Sequence, residues 1–134
     1  MKKNTILWAD DDADDLQMMR EILLKNNKDY NIIEVNNGKE ALKYLERAKE
    51  SGKLPCLIIL DINMPVLDGK ETLSIIKTRE DYKSIPAVVF TTSDSELDRL
   101  FCNRFNTEMV TKPPTFRKLE TTIVKLLLFA NGVK

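Results

Sequence analysis

Apolar residues along this chain follow two rhythms. Short unbroken runs, Ile6-Leu7-Trp8-Ala9, Leu57-Ile58-Ile59-Leu60 and Ala87-Val88-Val89-Phe90, read as strands buried on both faces. Tyr30 to Val35, with Ile32 and Ile33, and the short Met109-Val110-Thr111 complete a set of five. Between them the spacing becomes helical. Leu16, Met19, Leu23 and Leu24 recur after Asp12, which is placed as an N-cap with Asp14 and Asp15 in the first turn, where the helix dipole favours them. Ala41, Leu42, Leu45 and Ala48 give a second helix; Asn37-Gly38 before it resembles a hairpin turn, but the period that follows argues for a strand-to-helix loop. Lys49 to Leu54 reads as an exposed connection. Gly69 to Arg79 makes a third helix with Leu73 and Ile76 on one face. Ser93 and Glu96 have the spacing of a capping box for a fourth, whose inward residues are Leu97, Leu100 and Phe101. Thr115 caps a last helix carrying Phe116, Leu119, Ile123 and Leu126. Five strand-then-helix repeats predict an α/β fold, a doubly wound parallel sheet with helices on both faces.

Composition narrows the function classes. A chain of 134 residues, 43% of them hydrophobic, is expected to be one domain over 1–134 with one ordinary core. Lys plus Arg equal Asp plus Glu at 21 each, so no global basic field is available for direct nucleic-acid binding. Cys56 and Cys102 lie far apart without C-x-x-C spacing, which fits buried thiols in a reducing compartment. Met1-Lys2-Lys3 and the apolar stretch after it are cut short by aspartates and do not make a signal peptide. The run Ile123 to Phe129 is far short of the ~20 residues a membrane span needs. A cytoplasmic location without membrane insertion is the expectation.

The chemistry lies just beyond the strands. Asp10 and Asp11 follow the first, Asp61 and Asn63 the third, Thr91 the fourth and Lys112 the fifth. Taken singly, Asp61 is an ordinary turn residue, Asp10 to Asp12 are caps, Thr91 is a turn hydroxyl and Lys112 is a solvated charge. In a parallel sheet, however, the carboxyl ends of the strands share one edge, and ligands bind in the crevice outside it. Three carboxylates gathered there repel one another unless a cation sits among them. Oxygen donors, with no histidine in the chain, favour a hard ion such as Mg²⁺. The set suits phosphoryl transfer onto a carboxylate, with Mg²⁺ on Asp11, Asp61 and a backbone carbonyl, and with Lys112 and Thr91 facing the phosphoryl oxygens.

From Ile6 to about Leu128 the sequence resembles the receiver domains of two-component response regulators, the CheY-like family. The resemblance rests on Ala9-Asp10-Asp11, Leu60-Asp61-Ile62-Asn63-Met64-Pro65 followed by Asp68-Gly69, Phe90-Thr91 and Thr111-Lys112-Pro113. It implies a flavodoxin-like strand order 2-1-3-4-5. It implies that Asp61 is the phosphoacceptor, that Asp10 and Asp11 form the acidic pocket and that Asn63 ligates the metal through its carbonyl. Thr91 is then the switch hydroxyl, Lys112 the phosphate-pairing lysine, and Lys112-Pro113 a cis-peptide candidate. The implied protein is a stand-alone regulator without an effector domain and not an enzyme. Its phosphoryl group comes from a sensor histidine kinase or a histidine phosphotransfer protein, and a downstream protein reads the face made by the fourth helix, fifth strand and fifth helix.

Departures fall on the output side. Met109 stands where the family usually has Tyr or Phe, and methionine is flexible enough to fill the same gap. Phe105-Asn106 replaces the usual Gly-Ala pair; Pro114 stiffens the entry to the last helix, and Thr92 is bulkier than the small residue often found there. Two other readings stay open. An aspartate-nucleophile phosphohydrolase of the haloacid-dehalogenase type needs a second carboxylate two residues after the nucleophile, where this chain has Asn63. A receiver-shaped interaction module not regulated by phosphorylation has the intact acidic set against it.

Overall fold

The β-branched and leucine-rich runs form strands because a pleated segment covered on both faces accepts such residues at every position. The structure, a computed structural model, describes residues 4–26 and 30–131. Within them the chain runs β1 (Asn4–Ala9), α1 (Ala13–Lys25), β2 (Tyr30–Val35), α2 (Gly38–Glu50), β3 (Leu57–Leu60), α3 (Gly69–Thr78), β4 (Ala87–Thr91), α4 (Glu96–Asn103), β5 (Glu108–Thr111) and α5 (Phe116–Leu126), closing in a 3-10 turn (Leu127–Asn131). The expectation about Met1-Lys2-Lys3 falls outside the described residues. The strands pair in parallel in the order β2-β1-β3-β4-β5, as the family resemblance implied.

Strand alternation divides the core in two. Leu7, Ala9, Ile58, Leu60, Val89 and Met109 face one side, packed with residues of α2 and α3 such as Leu45, Leu73 and Ile76 and with Cys102 of α4. Ile6, Trp8, Leu57, Ile59, Val88 and Phe90 face the other, against Leu16, Met19 and Ile22 of α1 and Leu119, Ile123 and Leu126 of α5. Each such fully buried aliphatic side chain contributes about 1.5–3 kcal/mol by leaving water. Trp8 meets Phe90 edge to face, ring centroids 6.3 Å apart.

Caps set most helix starts where the sequence placed them. Asp12 accepts from the backbone N–H groups of Asp14 and Asp15 and Thr115 from that of Lys118, as expected, while Asn37, read as part of a loop, caps α2 by accepting from Glu40. Helix α2 runs two residues further than expected, so Lys49 and Glu50 belong to it and not to the connection. In α1 the buried stripe is Leu16, Met19, Ile22 and Leu23, while Leu24 points to solvent.

Helix α4 departs more. Its cap is Ser95, bonded to the N–H of Asp98, and not Ser93. Leu97 and Leu100, expected inward, are 78% and 52% exposed, and the fully buried residue is Cys102. The inward stripe is Asp98, Phe101, Cys102 and Phe105, a spacing of three, four and seven residues, and its first member is charged. Lys70 of α3 and the Ser93 hydroxyl both bond Asp98, which makes that burial tolerable and turns the leucines outward. Phe116, expected inward on α5, is likewise half exposed.

Candidate functional site

Asp10 and Asp61 extend adjacent strands past their last paired residues. The N–H of Asp61 donates to Ala9 O at 2.9 Å, and the N–H of Asp10 to Val35 O at 3.0 Å, so the sheet ladder itself fixes where both side chains begin. The loop after Asp61 is pinned by buried Ile62 and Met64 and by the N–H of Gly69, which donates to Ile62 O at 2.9 Å. Gly69 allows this approach: a Cβ there would run into the Asp61 carbonyl and lie 2.8 Å from the Ile62 Cα. Val66, at the loop's tip, has φ +68°, a strained value for a β-branched residue.

Oxygens of Asp10, Asp11 and Asp61 come within 4.8 Å of one another. Asp10 and Asp61 are buried and Asp11 is exposed, so the cluster opens to solvent on one side. Lys112 reaches it from beyond β5 with a side chain only 7% exposed. Its Nζ lies 2.7 Å from Asp10 Oδ2, 2.7 Å from Asp15 Oδ2 and 3.1 Å from Asp61 Oδ2. The Lys112-Pro113 bond is trans, since no cis peptide occurs among the described residues. The trans form is the ordinary preference by about 0.5–1 kcal/mol, and the lysine reaches all three carboxylates with it.

Burial pushes the Asp10 carboxyl up to about 6, against the opposing pull of the Lys112 bond and the Asp12 N–H. Burial also disfavours the Lys112 ammonium, but its bonds to Asp10 and Asp15 and the nearby charges win, holding its pKa above the usual lysine range. Asp61 Oδ1 is buried and has no hydrogen-bond partner among the described residues. An orphaned carboxylate oxygen within a set of hard oxygen donors fits a divalent cation, and Asp10, Asp11 and Asp61 would be its side-chain ligands.

The remaining expected residues lie around this centre. Asn63 is two residues beyond Asp61 in the loop, with its side chain exposed. Thr91 is fully buried at the end of β4, and its hydroxyl accepts from the Ser93 N–H at 3.3 Å. Met109 is buried on β5 opposite Val89, and its carbonyl accepts from Arg99 of α4 at 3.1 Å. Asp15 is the residue that sequence reasoning missed: it was assigned to the helix dipole, yet its carboxylate is bound to Lys112. The signal was an excess of acid, since five of the six residues from Asp10 to Asp15 are aspartates, more than one cap and one helix dipole require.

This geometry and the comparisons with known proteins agree. Residues 6–124 match the family described as the response regulator receiver domain, and the chain belongs to that family, the receiving side of two-component signalling. Among curated relatives it is 39% identical over 95 residues to the probable methanogenesis regulatory protein FilR2 of Methanothrix harundinacea, covering 69% of this chain and 61% of that protein. Response regulator Rcp1 of Synechocystis sp. is 38% identical over 95 residues, covering 69% and 65%. The alignments thus span less than two thirds of either relative. In three dimensions the chain superposes on the phosphorylated cyanobacterial phytochrome response regulator RcpA with a TM-score of 0.88 at 28% identity, covering 97% of this chain and 95% of that one. The Mn²⁺-bound form of Rcp1 gives 0.86 at 30% identity, covering 98% and 97%. No helix among the described residues is long and apolar enough to cross a membrane.

Proposed function

We propose that Asp61 accepts a phosphoryl group from a phosphohistidine on a sensor histidine kinase or a histidine phosphotransfer protein. An Asp61 carboxylate oxygen forms the new bond to phosphorus as the donor's P–N bond breaks, and the histidine nitrogen keeps the electron pair and takes up a proton. The observation that carries this reading is Asp61 itself, a buried carboxylate with one oxygen on an ammonium and the other without a partner among the described residues. Asp10, Asp11, Asp61 and the backbone carbonyl of Asn63 would hold Mg²⁺, which when bound offsets the mutual repulsion of carboxylates and phosphoryl oxygens.

Lys112 then exchanges one of its three carboxylate partners for a phosphoryl oxygen, and the buried Thr91 hydroxyl donates to another. These bonds exist only in the phosphorylated state, so they favour one conformation over the other. Thr91 shares a strand face with Val89, which pairs with Met109, and the Met109 carbonyl holds Arg99; this is the route to the face of α4, β5 and α5. A downstream protein reads that face. The chain acts on itself, forming and losing an acyl phosphate, and is not an enzyme with a separate substrate. Its two free thiols fit the cytoplasm.

Intact mass after incubation with acetyl phosphate and Mg²⁺ tests the reading. The expected result is one added phosphoryl group that vanishes in Asp61→Ala and with a chelator. An undiminished adduct in Asp61→Ala, or none in a wild type shown to bind Mg²⁺, would overturn it.

A further inference from the structure

An ammonium has three donors and no acceptor. All three of Lys112 are committed, to Asp10, Asp15 and Asp61. A phosphoryl oxygen on Asp61 can therefore reach the lysine only when a carboxylate lets go. Asp10 and Asp61 belong to the group whose oxygens converge with Asp11, and Asp15 does not. Asp15 stands in the first turn of α1, with Lys112 as the one partner of its carboxylate among the described residues. Its bond is also shorter than that to Asp61, 2.7 Å against 3.1 Å.

We infer that Asp15 is a positioning residue that holds the Lys112 ammonium beside Asp61 and competes with the phosphoryl oxygens for it. The inference rests on the phosphoacceptor reading above. The strength of the lysine's grip on the phosphoryl group is then set from α1, by a side chain that needs to touch neither the cation nor the phosphoryl group. An ion-paired hydrogen bond is roughly twice as strong as a neutral one. Asp15→Asn accordingly keeps an acceptor for the lysine while weakening the competition. Removing any negative charge near an anion site also helps an anion bind, so a control of equal charge is needed. Asp14→Asn supplies it, one residue away on the same helical turn, exposed and not among the carboxylates that Lys112 bonds in the described residues.

The probe is beryllofluoride, a mimic of the aspartyl phosphoryl group, titrated in saturating Mg²⁺. The fluorescence of Trp8, the single tryptophan, buried two residues before Asp10, reports binding. Asp15→Asn should bind roughly 3–10-fold more tightly than wild type, the size of one weakened ion-paired bond, and Asp14→Asn should stay within about twofold. In a Lys112→Ala background the Asp15→Asn gain should disappear, since the competition has lost its object. An Asp15→Asn affinity equal to that of Asp14→Asn, or a gain that persists without Lys112, would overturn the inference. If Lys112→Ala fails to fold, the Asp14 and Asp15 comparison alone decides. Failure of wild type to bind beryllofluoride, or equal binding by Asp61→Ala, removes the phosphoacceptor reading and this inference with it. Asp61-dependent binding that Asp15→Asn leaves unmoved removes only the inference.

Discussion

Helices α1 and α4 follow the two strands that carry Asp10 and Thr91, and they are held by opposite means. The first has 13 residues and buries Leu16, Met19, Ile22 and Leu23 against the sheet. The second has 8, and of these only Cys102 is fully buried. Beside Cys102 and the half-buried Phe101, its attachments are polar: Asp98 to Lys70 at 2.9 Å and to the Ser93 hydroxyl at 2.7 Å, and Arg99 to the Met109 carbonyl at 3.1 Å. Apolar packing is non-directional and is lost only by exposing area, whereas hydrogen bonds exchange one partner for another at small net cost. The carboxylate side of the edge is thus built to stay in place. The hydroxyl side, next to Ser93 and α4, has few fully buried side chains, the character of segments that open locally at low cost.

The comparison breaks most visibly in the core under α1. Ile22→Ala should lower the unfolding free energy by about 2–5 kcal/mol in a denaturant titration, because the side chain is fully buried. A loss below about 1 kcal/mol would mean that α1 is not the better anchored helix.

A smaller effect is electrostatic. The Asp10 carboxyl sits at about 6 in the fold against 3.8 as its ordinary value, so the folded state binds the proton more tightly. Its contribution is fully present below about pH 4 and is lost as pH rises through about 6. Without divalent cation, stability should decline over that window. Asp10→Asn should flatten the decline and be more stable by about 1–2 kcal/mol at pH 8. Denaturation midpoints at a series of pH values, with and without Mg²⁺, measure both.

Unlatching α4 comes next. Asp98→Ala should speed amide hydrogen exchange over 96–103 about fivefold, the equivalent of about 1 kcal/mol, and leave α1 unchanged. Equal acceleration in both helices would show that the latch supports the whole fold. Smallest of all, Leu97→Gln should change stability by less than about 0.5 kcal/mol by thermal melting, as expected of a side chain 78% exposed.

What could be read from the chain follows the same division. Strand β3, buried on both faces, leaves an unbroken apolar run and was legible to the residue, as was the half-buried β2 around Ile32 and Ile33, and the polar groups at the strand ends marked the edge where Asp10, Asp11, Asp61 and Lys112 meet. Helix α4 departs because its inward stripe begins with Asp98, which a hydrophobic period does not count and which Lys70, 28 residues away, and the Ser93 hydroxyl make tolerable. The bond from Asp15 to Lys112 spans 97 residues, and no local pattern encodes such a pairing. The bond before Pro113, a cis candidate by the family resemblance, is trans.

Gly69 carries a consequence for how this sequence can change over time. Any side chain there collides with the backbone of Asp61 and Ile62, so the first residue of α3 and the peptide of Asp61 form one inseparable unit. A library scored only for folding would spare most loop positions and purge position 69, although it carries no reactive group. Lineages that drift at Asp61 would therefore still keep the glycine, leaving it as a fossil imprint of where the proposed phosphoacceptor once stood.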